Sequence, residues 1–170
     1  MYNTDYSENI HSYVNNINTI EGGTHLTGFR IALSRALKKY ADSDDQIRKQ
    51  IEKAKVEIAQ DDFKEGLTAV VSVKVAEPQF EGQTKAKLGN IEMRGFVETA
   101  TAENLTAFLE ENPNQAKLIM DKCLSASRAR DAAKRARELT RRKSVFENNS
   151  LPGKLADCQS DEAQFCEIFI

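Results

Sequence analysis

The 170-residue chain has few of the residues that bind metals or cross-link small secreted folds. Its three cysteines are Cys123, Cys158 and Cys166, and its two histidines, His11 and His25, lie far from them. There is no Cys-x-x-Cys pair, so the sequence indicates neither a zinc site nor a disulfide framework, and we predict no metal ligand. Free thiols are typical of a reducing compartment, and we expect the protein in the cytoplasm.

The sequence also lacks a long hydrophobic run and an excess of positive charge. No apolar stretch is long enough to span a membrane, and the first residues do not resemble a signal peptide, so no membrane partner is expected. The net charge is −2, and 29% of the residues are charged. Contact with nucleic acid would therefore depend on local basic clusters. A chain of this length can bury a core in one domain without cross-links.

Two strands are predicted in the first half of the chain. Residues 67–75 alternate in polarity, and one face carries Leu67, Ala69, Val71, Val73 and Val75. Residues 10–19 mix aromatic, β-branched and asparagine side chains, which favours a single strand. A turn at residues 21–23 precedes the first helix.

Helices are predicted to fill most of the remaining sequence. Thr24 is the candidate N-cap of the first, whose apolar stripe is Leu26, Phe29, Leu33, Leu37 and Tyr40. A short helix is plausible within residues 42–62, and we interpret Asp61 and Asp62 as a solvated turn or helix end in preference to a metal site. Residues 92–111 form a further helix, broken at Asn112 and restarted by Pro113.

Residues 80–90 contain two glycines, two lysines and the donors Gln83 and Thr84. Gly82 relaxes the backbone, and a lysine ammonium supplies a point charge, as a loop that reaches towards an anion requires. The segment lacks the Walker pattern Gly-x-x-x-x-Gly-Lys-Ser/Thr. Taken alone, it fits a solvated lysine loop better than an anion site.

The last predicted helix is long, about residues 114–143, and its second half is rich in alanine and basic residues. Eight basic residues and the two acidic residues Asp131 and Glu138 give this half a net charge of +6. The basic residues are Arg128, Arg130, Lys134, Arg135, Arg137, Arg141, Arg142 and Lys143. Such a helix could face the phosphate backbone of double-stranded DNA. A solvated helix that joins two domains explains the same pattern, and both interpretations remain open.

Five blocks follow one another along the chain: residues 13–19, residues 21–30, Gly82-Gln83-Thr84-Lys85, residues 136–143 and residues 151–158. In this order they resemble the DNA gyrase B family of type IIA topoisomerases. The resemblance covers nearly the whole chain. It implies that residues 1–150 form a transducer domain of the α/β (α+β) class, similar to ribosomal protein S5 domain 2. This domain would have two layers, a mixed sheet and helices, and would end in the long helix. Residues 151–170 would be a linker and the first strand of a truncated Toprim domain.

The same resemblance implies a role for the Gln-Thr-Lys loop. Gln83 and Lys85 would contact the γ-phosphate of ATP, with Lys85 as the catalytic residue, and the loop would relay nucleotide state to the DNA gate during negative supercoiling. The eight basic residues of the long helix would face DNA. ATP and Mg would be bound mainly by the family's other domains, and the partners would be double-stranded DNA, the gyrase A protein and a second gyrase B chain in an A2B2 heterotetramer.

The intact protein would be an ATP-hydrolysing topoisomerase, and this chain alone would be inactive, because the ATPase and Toprim motifs of the family are absent from it. The equivalent domain of the topoisomerase IV B protein, which acts in decatenation, fits nearly as well. A small-molecule kinase and an autonomous nucleic-acid-binding module are the alternatives from other classes. The kinase would need a glycine-rich phosphate loop of its own, and none occurs in the sequence.

Overall fold

The computed structural model of the protein describes residues 1–147. Its elements in chain order are β1 (Asn9–Val14), β2 (Ile17–Asn18), β3 (Gly22–Gly23), α1 (Thr24–Ser43), α2 (Asp45–Ala54), β4 (Thr68–Val73), β5 (Phe80–Glu81), β6 (Lys87–Leu88), α3 (Glu92–Glu111) and α4 (Pro113–Glu147). The chain divides into two units, residues 1–131 and 132–170. The predicted α/β class is confirmed. The domain boundary predicted near residue 150 and the strand predicted at the end of the chain lie outside the described residues.

The strands form two small sheets with the orders β2-β1-β4 and β3-β6-β5. In the first sheet, β1 and β4 are parallel and in register from the Asn9–Thr68 pair to the Val14–Val73 pair. The strand predicted at residues 67–75 is thus confirmed, shortened at both ends. Its apolar face is confirmed too, because Leu67 and Val71 are buried, whereas Val70 on the other face is 67% exposed.

The prediction of one strand over residues 10–19 is wrong, because this segment is a hairpin. β1 pairs antiparallel with β2 around a two-residue turn at Asn15 and Asn16. Both asparagines have positive φ, 49° and 67°. Two-residue hairpins need this backbone conformation at both positions, and asparagine tolerates it better than other non-glycine residues. The Asn-Asn pair was therefore the overlooked turn signal.

The core lies between α1, α3, α4 and β4. Its buried members are Leu33, Leu37, Ala41, Ile47, Phe63, Leu67, Leu109, Ala116, Met120 and Cys123. Helices α1 and α3 come very close at Gly28, where a Cβ atom would lie 2.4 Å from the carbonyl oxygen of Arg94. The absence of a side chain at Gly28 thus sets the spacing of these two helices.

The structure corrects several details of the predicted helices. Thr24 is not the N-cap of α1, because β3 leads straight into the helix and Gly23 takes that position with no side-chain bond. A true cap occurs on α2, where Asp44 Oδ1 accepts from the backbone of Gln46 at 2.8 Å and Ile47 at 3.1 Å. Pro113 begins α4 as predicted. Leu118, in the first half of α4, is 70% exposed.

Candidate functional site

The predicted anion-reaching segment is the tip of a β-hairpin. Strands β5 and β6 are antiparallel, with Glu81 opposite Lys87, and residues 82–86 form the loop between them, which we call the tip loop. Gly82 and Lys85 both have positive φ, 81° and 53°. This lets the chain reverse over a short distance. Gln83, Thr84 and Lys85 are all exposed.

The base of this hairpin is held by one buried amide, that of Asn90, which is 4% exposed. Its Oδ1 accepts from the backbone nitrogen of Gln79 at 2.7 Å, and its Nδ2 donates to Glu77 O at 3.3 Å and to Glu92 Oε1 at 2.8 Å. The bond from Asn90 and a backbone bond lower the pKa of the Glu92 carboxyl. These bonds, which we call the Asn90 latch, tie the hairpin to the first turn of α3. Sequence reasoning missed this role, which no local motif signals.

The two lysines of the hairpin differ in their surroundings. Lys87 Nζ lies 2.9 Å from Glu81 Oε2, so its charge is compensated by the strand opposite. Lys85 has no ion pair within the part of the chain that the structure describes. The tip loop therefore offers an uncompensated ammonium with three donors, beside the amide of Gln83 and the hydroxyl of Thr84. Such a set of donors can bind an anion, for example a phosphate group.

The basic residues of α4 occupy two faces of the helix. Lys134, Arg137 and Arg141 follow one another at spacings of three and four, and Arg128 and Arg135 are seven apart on another face. All five side chains are exposed. Arg142 and Lys143 lie within α4, but their side chains are outside the described residues. Basic charge on an exposed helix is compatible with a phosphate backbone.

Arg130 differs from the other basic residues because its guanidinium forms hydrogen bonds with residues that precede β4. Its Nε donates to Asp62 Oδ1 at 3.0 Å, and its Nη2 donates to Glu57 O at 2.6 Å. Ser127 donates to the same carbonyl at 3.0 Å. Asp62 is only 3% exposed, so its interpretation as part of a solvated turn was wrong. The partner that buries it lies 68 residues further along the chain.

Residues 1–147 have neither a cluster of metal-binding side chains nor a membrane-spanning helix. These residues contain no group of three or more His, Cys, Asp or Glu side chains that could hold a metal ion. None of their helices is both long and apolar enough to cross a bilayer. The tip loop and the basic faces of α4 are two candidate functional features of the described chain.

Among solved structures, the chain is similar to parts of two topoisomerase proteins. The chain is similar to the 43K ATPase domain of Thermus thermophilus gyrase B, solved in complex with an aminocoumarin, with 43% identity and a TM-score of 0.69 over 82% of this chain and 36% of that one. It is also similar to the topoisomerase IV ATP-binding domain of Francisella tularensis, with 32% identity and a TM-score of 0.62 over 76% of this chain and 34% of that one.

The particular family follows from sequence comparison. The family model for DNA gyrase B matches residues 1–139. The DNA gyrase B protein of Cytophaga aurantiaca is 56% identical over 170 residues, which is all of this chain and 35% of that protein. The chain belongs to the DNA gyrase B family. It spans about a third of the length of curated relatives that it matches.

Proposed function

We propose that this chain is the transducer region of a DNA gyrase B protein, in which Gln83 and Lys85 detect the γ-phosphate of ATP held by another domain. The observation that carries the proposal is the contrast between the two lysines of the hairpin. Lys87 is neutralised by Glu81, whereas Lys85 projects from the tip loop without an ion pair in the described residues. The likeness to the ATPase domain of T. thermophilus gyrase B supports a nucleotide as the anion.

The chemistry of the nucleotide makes such a contact informative. The terminal phosphate is present before hydrolysis and has left afterwards, so a bond to it exists in only one of the two states. A hydrogen bond to a charged group contributes about 1.5–3 kcal/mol. A free-energy difference of that size changes the equilibrium constant between two conformations by a factor of about 10 to 100. The Asn90 latch keeps the hairpin fixed to α3, so a pull on Lys85 is transmitted to the body of the domain.

In the intact protein, the remaining domains would bind ATP and Mg and carry the Toprim motif, and this region would relay nucleotide state towards the DNA gate during negative supercoiling. Its partners would be double-stranded DNA, the gyrase A protein and a second gyrase B chain. Lys85 and Gln83 fit the phosphate end of the nucleotide, because both are exposed donors on one loop. The exposed basic faces of α4 would lie near DNA.

The test is ATP turnover by the intact protein with Lys85→Ala, compared with Lys87→Ala. Loss of one preorganised charge at a reacting phosphate costs on the order of 10²–10³ in rate. We expect Lys85→Ala to lose turnover to this extent while nucleotide still binds. Lys87→Ala removes an equal charge from the same hairpin, and it breaks only an exposed ion pair. Equal turnover in both variants would refute the sensor role.

Topoisomerase IV is the neighbouring alternative. The higher identity to the gyrase B structure than to the topoisomerase IV structure favours gyrase. The intact protein, reconstituted with its DNA-cleaving partner, should introduce negative supercoils into relaxed plasmid. Decatenation without supercoiling would assign the chain to topoisomerase IV instead.

An autonomous nucleic-acid-binding module is favoured by the exposed basic faces of α4. In that case the 170-residue chain should bind duplex DNA with a salt slope of about −0.9 per neutralised phosphate. Neutralising Arg135, Arg137, Arg141 and Arg142 should remove most of that slope. If the chain does not bind duplex DNA, α4 acts only within the larger protein.

A further inference from the structure

The hairpin that carries the tip loop is joined to α1 through its central strand. The strand order of this sheet is β3-β6-β5, so β6 lies between the other two strands and β5 is at the edge. β3 pairs with β6 in parallel, with Gly22 opposite Lys87 and Gly23 opposite Leu88, and it leads straight into α1. This short pairing alone would hold the hairpin along one line and leave it able to turn about β6.

The Asn90 latch supplies an attachment away from that line. Asn90 Oδ1 accepts from Gln79 N at 2.7 Å, and Asn90 Nδ2 donates to Glu77 O at 3.3 Å, so the amide holds the chain just before the edge strand β5. The same Nδ2 donates at 2.8 Å to Oε1 of Glu92, in the first turn of α3. Because the hairpin is fixed at both its central strand and its edge strand, it cannot turn without breaking one of these sets of bonds.

The amide of Asn90 has its donors and its acceptor where the neighbouring groups require them. Gln79 N can only donate and Glu77 O can only accept, so Oδ1 must face the first and Nδ2 the second. The side chain is buried, and turning the amide over would place donor against donor at Gln79 and acceptor against acceptor at Glu77. A carboxylate in its place would face Glu92 with a like charge and would have no hydrogen to donate.

Helices α1 and α3, which receive these two attachments, are held to each other. A Cβ atom at Gly28 would lie 2.4 Å from the carbonyl oxygen of Arg94, so the two backbones are in close contact there. Arg35 on α1 also forms an ion pair with Glu98 on α3. Because close-packed elements transmit strain with little compression, a displacement that reaches α3 moves both helices.

We propose that Asn90 is a positioning residue, which couples the contact between Lys85 and a nucleotide to movement of α3. This role rests on the proposed function, because it takes Lys85 as the group that meets the γ-phosphate. With the latch closed, a pull on the tip loop moves the hairpin and α3 together. With the latch broken, the hairpin turns about β6, so Lys85 still follows the phosphate while α3 stays in place. Loss of the latch should therefore separate ATP hydrolysis from supercoiling without stopping hydrolysis.

The test measures supercoils introduced and ATP hydrolysed by the intact protein, reconstituted with its DNA-cleaving partner. Molecules that fail to fold add to neither quantity, so the ratio of the two reports coupling and is insensitive to stability. Asn90→Asp keeps an acceptor for Gln79 N and loses both donor bonds. Coupling between two sites typically amounts to about 5–150-fold, so we expect this ratio to fall by about fivefold or more. ATP turnover should fall far less than it does in Lys85→Ala.

Further variants serve as rescue and control. When Asn90→Asp is combined with Glu92→Gln, the new amide donates to the new carboxylate, so the bond between the two positions returns with donor and acceptor exchanged. We expect this double variant to recover most of the ratio, and Glu92→Gln alone, which keeps the acceptor, to stay near the parent protein. Asn104→Asp makes the same chemical change on an exposed side chain of α3, whose amide donates to Ala100 O, and it should leave the ratio unchanged.

Asn90→Ala in the 170-residue chain checks the latch directly. It removes the acceptor of Gln79 N, whose exchange with solvent should become faster by about fivefold or more. The amide of Glu21, which donates to Ala86 O at 3.0 Å on the β3 side of the hairpin, should exchange as in the parent chain. Equally faster exchange at both amides would overturn the proposal, because Asn90 would then hold the whole sheet together.

The outcomes separate this role from the proposed function. If Asn90→Asp keeps the ratio while Lys85→Ala loses turnover, the proposed function stands and Asn90 is not the coupling residue. If Lys85→Ala keeps turnover, the proposed function fails, and the role of Asn90 fails with it. If Glu92→Gln does not restore the ratio in the double variant, or if Asn104→Asp lowers it equally, the bond between Asn90 and Glu92 does not carry the coupling.

Discussion

The contact between Arg130 and Asp62 makes a quantitative prediction about stability. Asp62 is a buried carboxylate whose Oδ2 accepts from Ala59 N at 2.7 Å and whose Oδ1 accepts from Arg130. Removing one partner of a fully buried pair costs about 3–5 kcal/mol. The Arg130 side chain is 44% exposed, and solvent therefore screens part of this interaction. For Arg130→Met, which keeps the aliphatic stem, we expect a loss of about 2 kcal/mol in the free energy of unfolding.

The assay is urea unfolding of the 170-residue chain followed by circular dichroism, with Arg128→Met as the matched control. Arg128 is two residues earlier on the same helix and exposed, so its loss should change the free energy of unfolding by less than about 0.5 kcal/mol. At about 2–4 °C per kcal/mol, Arg130→Met should lower Tm by about 4–8 °C. Asp62→Asn combined with Arg130→Met should cost less than the sum of the two single changes.

The reasoning would be refuted if Arg130→Met were as stable as Arg128→Met. If Arg130→Met also weakened duplex binding as much as Arg137→Met does, Arg130 would be a DNA contact, as the sequence alone predicts. The two variants separate these roles, because the bonds to Asp62 and to the Glu57 carbonyl come from Arg130.

Two further predictions concern the core. Burial raises the pKa of the Cys123 thiol to about 12 and also raises the pKa of the Tyr2 hydroxyl. Because the unfolded chain loses these protons first, the free energy of unfolding should be unaffected below about pH 9 and should fall as pH rises towards 12. The urea midpoint should therefore fall above about pH 9, and less steeply for Tyr2→Phe. In the same unfolding assay, Gly28→Ala should destabilise the chain by about 1–3 kcal/mol, because the new Cβ would press on the Arg94 carbonyl. Gly95→Ala is the control: its Cβ would have nothing within 4 Å, and it should stabilise α3 by about 0.5–1 kcal/mol.

Periodicity predicted those elements whose signals are local. The alternation at residues 67–75 and the three-and-four spacing on α1 both indicated the faces that the structure buries. The hairpin at Asn15 and Asn16 was missed because the flanking residues have the pattern of one strand, and its signal in the sequence is the Asn-Asn pair, which adopts the positive φ that the turn needs. Thr24 was assigned as a cap because its type suits that role, but the pairing of β3 with β6 moved the helix start.

In the candidate site, too, the sequence predicted the features that have local signals and missed those that depend on contacts between distant residues. The composition of residues 80–90 indicated an exposed loop with lysine at its tip, and the structure confirms that exposure. Which of its lysines is available depends on the cross-strand pair of Glu81 and Lys87, and this requires the hairpin register. The Asn90 latch spans residues 77–92 and has no periodic signature, so sequence alone could not assign it.

The basic helix shows how a long-range contact alters an interpretation based on charge. Counting residues 128–143 gives +6, and the count treats all eight basic side chains alike. Arg130 compensates the buried charge of Asp62, which lowers the charge available to a phosphate backbone to +5. One phosphate contact fewer lowers the salt slope of DNA binding by about 0.9. If α4 faces DNA, its contacts therefore begin beyond Arg130 on that face, at Lys134, Arg137 and Arg141, while Arg130 holds the start of the basic segment to the core.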